Sequence, residues 1–176
     1  ARKYNELVAD IASILKGMYP KGMKETEFIE GIWGIISSNL GVKYGINQYQ
    51  FLNQSIRSGH FDCDTSAFLV YDVAKRLDVD VQIIQTIGHI LVKTKNYYFE
   101  TANGAYDDFG NLGQAYRKYY ILNDKQIQAI TYTTRSGYYA EKGMYKKALQ
   151  DSKEAVHLFP EYSDHHTNLG ADYVNT

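Results

Sequence analysis

Apolar positions along the chain recur first at a helical period, then at a strand period, then at a helical period again. Leu7, Ile11, Ile14, Leu15 and Met18 predict an amphipathic helix over 4–17, and Tyr19-Pro20-Lys21-Gly22 breaks it. Phe28, Ile32, Ile35, Ile36 and Leu40 share one face of a second helix over 25–40, with Gly41 as its stop. Trp33 lies off that stripe, where core packing is its expected use. The pattern weakens over 42–58, although Tyr49, Phe51, Leu52 and Ile56 suggest another helix. Ala67, Val70, Tyr71, Ala74 and Leu77 then mark a helix over 63–77. Asp62 suits its N-cap, and Asp64, Thr65 and Ser66 suit its first turn.

Strand-like runs follow at 81–86, 88–94 and 97–101, with Lys95-Asn96 as a short turn between the last two, which predicts a hairpin. Its register decides what can meet. A two- or four-residue loop sets Leu91 opposite Glu100 and puts His89 on the same face as Glu100, diagonally displaced. Such neighbours lie roughly 7–8 Å apart at the backbone, within reach of an imidazole and a glutamate. A three-residue loop sends Glu100 to the other face.

Beyond Thr101, residues 102–113 are rich in Gly, Asn and Asp and read as a loop, and 113–120 as a short helical turn. Asn123 with Gln126 forms a capping-box pattern that opens a helix to about Lys142. Gly143 turns the chain into a helix over 145–158, which Phe159-Pro160 ends.

Composition adds little chemistry. The 176 residues suit one domain with a smaller appendage, and 17 tyrosines against one tryptophan suggest half-buried amphipathic surfaces. A net charge of -1 gives no electrostatic footprint for nucleic acid or an anionic membrane, so neither is an expected partner. No apolar run reaches spanning length. Ala1 opens the chain, which points to trimming or to removal of a leader, so the lack of a signal peptide says nothing and the compartment stays open.

Candidate chemistry gathers in 59–101. Cys63, the only cysteine, heads a helix, His89 begins a strand, and Glu100 ends the next. A thiol, an imidazole and an acid are the parts of a nucleophile with an oriented base. Each has a plainer reading as well. Cys63 falls on the inward stripe of its helix, where a thiol serves as a small hydrophobe. The helix dipole at the first turn favours thiolate, whereas Asp62 and Asp64 oppose it by like-charge repulsion. A lone strand histidine or glutamate is commonly structural. Asn47, Gln48, Gln50, Asn53 and Gln54 read as a solvated helix face, or else one of them lends a donor to an oxyanion hole beside Cys63.

The runs DCDTSAFLVYDVAKRLDVDVQ, GHILVK and YYFET together resemble the transglutaminase-like core of the papain-like superfamily. That resemblance implies an α+β fold, a helix packed on a small antiparallel sheet, over 1–120. It makes Cys63 the nucleophile, His89 the base and Glu100 the group that orients the imidazole, with no cofactor and no metal. Thr101 stands where the family has proline after an aspartate, and Asp107 and Asp108 are the nearby substitutes for Glu100. The implied activity is attack on amide or acyl bonds of a protein or peptide. Hydrolysis is the expected outcome, with transglutaminase-type amine transfer as one alternative and a non-catalytic interaction module as another.

Residues 121–176 resemble a tetratricopeptide repeat: Tyr132, Tyr139, Gly143, Tyr145, Ala148, Ala155 and Pro160 stand where aromatic, small or proline residues are expected. A second copy restarts near Ser163 with Asn168-Leu169-Gly170 and Tyr173. It implies a helical-hairpin extension that recruits a protein partner. About three repeats are needed for a stable array, so the halt within a second copy points to packing on the first domain or to a natural chain running past Thr176. His165 and His166 are adjacent and so splay apart on a helix, which makes them poor metal ligands as a pair.

Overall fold

The computed structural model describes residues 2–39, 43–44, 54–55 and 58–176. Among them are seven α-helices and a five-stranded antiparallel sheet, a mixed α+β architecture. The chain forms two compact units, parted between Ile121 and Leu122.

In the first unit, α1 (Arg2–Met18) and α2 (Glu25–Gly34) precede a π-helical turn, Ile35–Asn39. The buried stripe of α1 is Val8, Ile11, Ala12 and Leu15, while Ile14 and Met18 are 42% and 52% exposed. The expected stripe is thus rotated by part of a turn. Apolar residues on both flanks of Leu15 satisfy helical spacing equally, and packing selects the flank that meets the core. In α2, Phe28 and Ile32 are buried as the pattern predicts, followed by Ile35 and Ile36. Leu40, Gly41 and most of 42–58 lie outside the described residues, where Lys43–Tyr44 (β1) pairs in parallel with His60–Phe61 (β2).

The third helix, α3 (Cys63–Arg76), is capped as expected. Thr65 N–H donates to Asp62 Oδ1 at 2.9 Å, and Asp62 N–H returns a bond to Thr65 Oγ1 at 3.1 Å, pairing two donors that a helix start leaves open. Its buried face is Ala67, Leu69, Val70, Val73 and Ala74, with Tyr71 and Leu77 only half-buried. Tyr4 on α1 donates to Asp72 Oδ2 at 2.6 Å, which fastens α1 against α3.

The sheet runs β6-β5-β4-β3-β7, with β3 Gln82–Thr86, β4 His89–Lys93, β5 Tyr97–Phe99, β6 Tyr106–Asp108 and β7 Tyr119–Ile121. A tight turn through Ile87 and Gly88 joins β3 to β4, and Gly88 holds a φ of +71° that a side chain would strain. Between β4 and β5, Val92 faces Phe99 and Lys93 faces Tyr98, so Lys95 and Asn96 form a two-residue turn. Glu25 clamps that turn: its carboxylate accepts from Thr94 Oγ1 at 2.6 Å, Asn96 N–H at 2.9 Å and Asn96 Nδ2 at 2.8 Å.

Strands β6 and β7 and the short helix α4 (Leu112–Ala115) occupy stretches that the sequence pattern assigns to loop and helical turn. Both strands are three residues long and lie at the sheet's edges, too short and too exposed to show alternation. Ile84, Leu91 and Tyr98 share one sheet face, where Leu112 packs with Phe109 and Tyr116. Ile83, Ile90, Val92 and Phe99 project from the opposite face, all fully buried, and α3 packs along β4.

The second unit is three helices: α5 (Asp124–Glu141), α6 (Tyr145–Leu158) and α7 (Ser163–Asn175). Asn123 and Gln126 exchange side-chain-to-backbone bonds of 3.0 Å at the start of α5. Ala148 and Ala155 let α5 and α6 approach closely. A buried polar junction ties all three helices: Asp172 Oδ2 accepts from Ser136 at 2.7 Å and from Ser152 at 2.5 Å. Arg135 grips Asp151 with two bonds of 2.6 and 2.7 Å. His165 is wholly buried against the Phe159 and Tyr162 rings, bonded at Nδ1 to the Phe159 carbonyl, while its Nε2 has no partner. No helix among the described residues is long and apolar enough to cross a membrane.

Candidate active site

The β4–β5 register sets Leu91 in line with Glu100, one step past the last paired residues. By the alternation of a strand, His89, Leu91, Tyr98 and Glu100 then share one face. His89 Nε2 and Glu100 Oε2 meet at 2.5 Å. The sequence pattern anticipates this diagonal contact but places it on the face that carries the Cys63 helix. The face in question is packed by Leu112, Phe109 and Tyr116.

Cys63 reaches the pair by the backbone of β4. Thr94 N–H donates across the hairpin to the Tyr97 carbonyl, so the N–H groups of Val92 and Ile90, at even spacing, point the same way. At Ile90 the pairing with β5 has ended, and the backbone there acts on the Cys63 thiol, working to lower its pKa against burial and Asp64. The nucleophile candidate thus lies near the backbone of the residue that follows His89. Ser66, one turn into α3, adds a second tie. Its Oγ lies 2.7 Å from Thr101 Oγ1, both side chains being buried at 2% and 3% exposure. Thr101 therefore links the thiol's helix to the residue after Glu100.

The half-buried thiol itself donates to Asp64 Oδ1 at 3.3 Å. Burial and, next, the Asp64 charge push its pKa up to about 12. Of the opposed influences that the sequence shows on this thiol, those against thiolate prevail, with burial first and the two neighbouring acids adding to it. The resting sulfur is a neutral thiol whose proton points at a carboxylate, with no hydrogen bond to His89.

No family model, curated protein or solved structure matches the chain.

The His89 pKa is raised above its ordinary value, chiefly by the Glu100 hydrogen bond acting against burial, with Asp64 adding to it. Glu100 sits below its usual range: burial pulls it up, but the bonds from His89 and Tyr116 outweigh burial. Tyr116 O–H donates to Glu100 Oε1 at 2.5 Å, so both carboxylate oxygens are engaged. With Nε2–H held by Glu100, the neutral imidazole keeps its lone pair on Nδ1, the nitrogen left for a thiol. The His89 carbonyl is pinned by Thr86 Oγ1 at 3.0 Å and Gln85 Nε2 at 3.1 Å, which fixes the ring's point of attachment.

Asp107 and Asp108 stand on the exposed edge strand β6 and bond Asn111 and the local backbone, not His89. Of the amides weighed for an oxyanion hole, Asn47, Gln48, Gln50 and Asn53 lie outside the described residues, and Gln54 is half-buried. Among the described residues no three His, Cys, Asp or Glu side chains are grouped to hold a metal ion. Sequence pattern passes over Tyr116, Gln85 and the Ser66–Thr101 contact. For Tyr116 the one available signal is chemical: a buried carboxylate at Glu100 needs donors for both oxygens.

Proposed function

We propose that the first unit is a transglutaminase-like domain of the papain-like superfamily, acting as a thiol enzyme on amide or acyl bonds of a protein or peptide. One observation carries this reading: Glu100 holds His89 through Nε2, while the backbone of the next residue, Ile90, acts on the Cys63 thiol. In the reaction, Cys63 passes its proton to His89 Nδ1 and the thiolate attacks the carbonyl carbon. The imidazolium then protonates the leaving amine as the C–N bond breaks, giving a thioester. His89 next takes a proton from the acceptor, and collapse of the second tetrahedral intermediate returns the thiol. Water as acceptor makes the reaction a hydrolysis, which we favour because water is always present. An amine as acceptor makes it a transglutamination, which requires a site that excludes water. The Cys63 N–H, in the helix's first turn, is one oxyanion donor in this scheme.

The step from rest to reaction is a change of partner, in which the thiol leaves Asp64 for His89. A substrate carbonyl seated over the sulfur would expel solvent and favour the exchange. The second unit, on this reading, is a tetratricopeptide-like module that recruits a protein, its three helices packing through small residues as such repeats do.

A second reading has an observation of its own. A thiol raised to about 12 and bonded to an acid is poorly prepared for attack, as expected of a non-catalytic scaffold. Iodoacetamide labelling across pH separates the two. The enzyme reading requires alkylation near neutral pH that slows at least tenfold in His89→Ala, together with Cys63-dependent cleavage of peptide amides. A thiol that stays unreactive in the folded protein, with the same rate in His89→Ala, refutes it.

A further inference from the structure

We propose that Tyr116 is a positioning residue of this site, whose hydroxyl locks the Glu100 carboxylate and, through it, the orientation and tautomer of His89. The proposal deepens the thiol-enzyme reading and rests on it for the word "site". Its own content is a coupling between a phenol and an imidazole that do not touch.

Glu100 follows the last residue of β5, where the ladder has ended and the chain turns away. Its N–H donates to the Ala105 carbonyl and its carbonyl accepts from Gly104 N–H, both at 2.8 Å, so the backbone is fixed by this turn. The side chain is not fixed by the turn. A glutamate has three rotatable bonds, and a single hydrogen bond to His89 would leave the carboxylate free to pivot about that contact. Tyr116 removes the freedom by taking Oε1 while His89 holds Oε2, each at 2.5 Å. The phenol in turn is seated by its ring, which meets Tyr98 edge-on at 6.4 Å and joins the Leu91, Tyr98 and Leu112 cluster. Tyr116 follows the last residue of α4, and its N–H is bonded to the Leu112 carbonyl at 2.8 Å, so backbone and ring are both anchored. Burial and the bond to Glu100 keep its hydroxyl protonated, and therefore a donor, throughout the working range of a thiol enzyme.

The charged groups acting on His89 are Glu100 and Asp64, and the Tyr98 hydroxyl also feels Glu100. Loss of the Tyr116 hydroxyl removes none of these groups and takes from Glu100 one of its two donors. It lets the Glu100 carboxylate swing toward water, which weakens the pair and frees the imidazole to exchange its proton between Nδ1 and Nε2. A tyrosine that served only to fill the sheet face would leave the imidazole unchanged when its hydroxyl was removed.

Nitrogen NMR of the full chain labelled in histidine reads both properties without any assay of activity, with His89→Gln assigning the signals. In the wild type, neutral His89 is expected to show a protonated Nε2 and an unprotonated Nδ1. In Tyr116→Phe the ionisation midpoint is expected to fall by about half a unit to one unit, and the tautomers to mix. Tyr119→Phe, which removes a hydroxyl elsewhere on the sheet, should move neither. An unchanged midpoint and tautomer in a folded Tyr116→Phe overturns the proposal. So does a raised midpoint, since the phenol would then be competing for the carboxylate's charge without orienting it. Should Tyr116→Phe not fold, the intact protein still decides: the lock requires a slowly exchanging Tyr116 hydroxyl proton, and its absence refutes it. If the midpoint shifts as expected while the wild type cleaves no amide, the lock stands and the catalytic reading alone fails.

Discussion

Asp64→Asn should make Cys63 more reactive, although it removes the group hydrogen-bonded to the thiol. Asparagine keeps an acceptor oxygen in the same place, so the substitution deletes a charge and little else. At the 3.3 Å separation in the structure, a thiolate and a carboxylate repel by about 1.3 kcal/mol in bulk water and about 5 kcal/mol at the effective dielectric of a protein surface. The site is half-open to solvent, so the lower part of that range applies, a drop of roughly 1–2 pH units in the thiol pKa. Well below the thiol pKa, the variant therefore raises the thiolate fraction about 10- to 100-fold. A less basic thiolate is also a weaker nucleophile, with a Brønsted coefficient of about 0.4–0.5, so alkylation should quicken only ~3–15-fold. Pseudo-first-order iodoacetamide labelling followed by intact mass from pH 6 to 10 measures this directly. A variant rate equal to or below the wild type would refute the placement of Asp64 as a group that, beside burial, holds the proton on the thiol.

Two further outcomes follow from packing. Gly104 holds a φ of +74°, and a Cβ there would lie 2.3 Å from Trp33 Cδ1, so Gly104→Ala combines backbone strain with a clash against a ring. It should cost roughly 2–4 kcal/mol in urea unfolding and disturb the turn that carries Glu100, whereas a loss under about 1 kcal/mol would contradict the contact. His165 is depressed below its ordinary pKa, first by burial, so the unfolded chain takes up a proton that the folded one refuses. Its contribution to the second unit is therefore intact above pH 6.5 and declines as pH falls from there toward the folded pKa, by at most about 1.4 kcal/mol per pH unit. Hydrogen exchange of α6 and α7 amides in the whole chain should speed up accordingly at pH 5, and His165→Phe should flatten the dependence. An equal slope in that variant would assign it to another group.

How much of this was legible follows from the range over which each residue's partners lie. The cap at Asp62 and the box at Asn123 are local, and their side chains bond where the sequence pattern expects. The two-residue turn at Lys95-Asn96 is local too, and with it comes the face shared by His89 and Glu100. The stripe of α1 was only half-legible, because Ile14 and Val8 offer two helical faces and only the core distinguishes them. Tyr116 was hidden for the opposite reason. Its partner lies 16 residues back, across an edge strand and a short helix that no hydrophobic period announces. The charge balance at Cys63 was legible in kind but not in outcome. Dipole and acids act in opposite senses, and burial of the sulfur, with the Asp64 contact after it, tips the balance.

The Glu25 clamp has a consequence for anyone who would transplant this site. The segment from Cys63 to Thr101 looks portable: one helix and two hairpins carrying thiol, imidazole and acid. Yet the turn that aligns the last two strands is gripped by a carboxylate 69 and 71 residues away, on a helix outside that segment. Moved alone, the segment would carry the thiol, imidazole and acid and lose the gauge that holds the last two in step. A graft needs α2 as much as it needs Cys63.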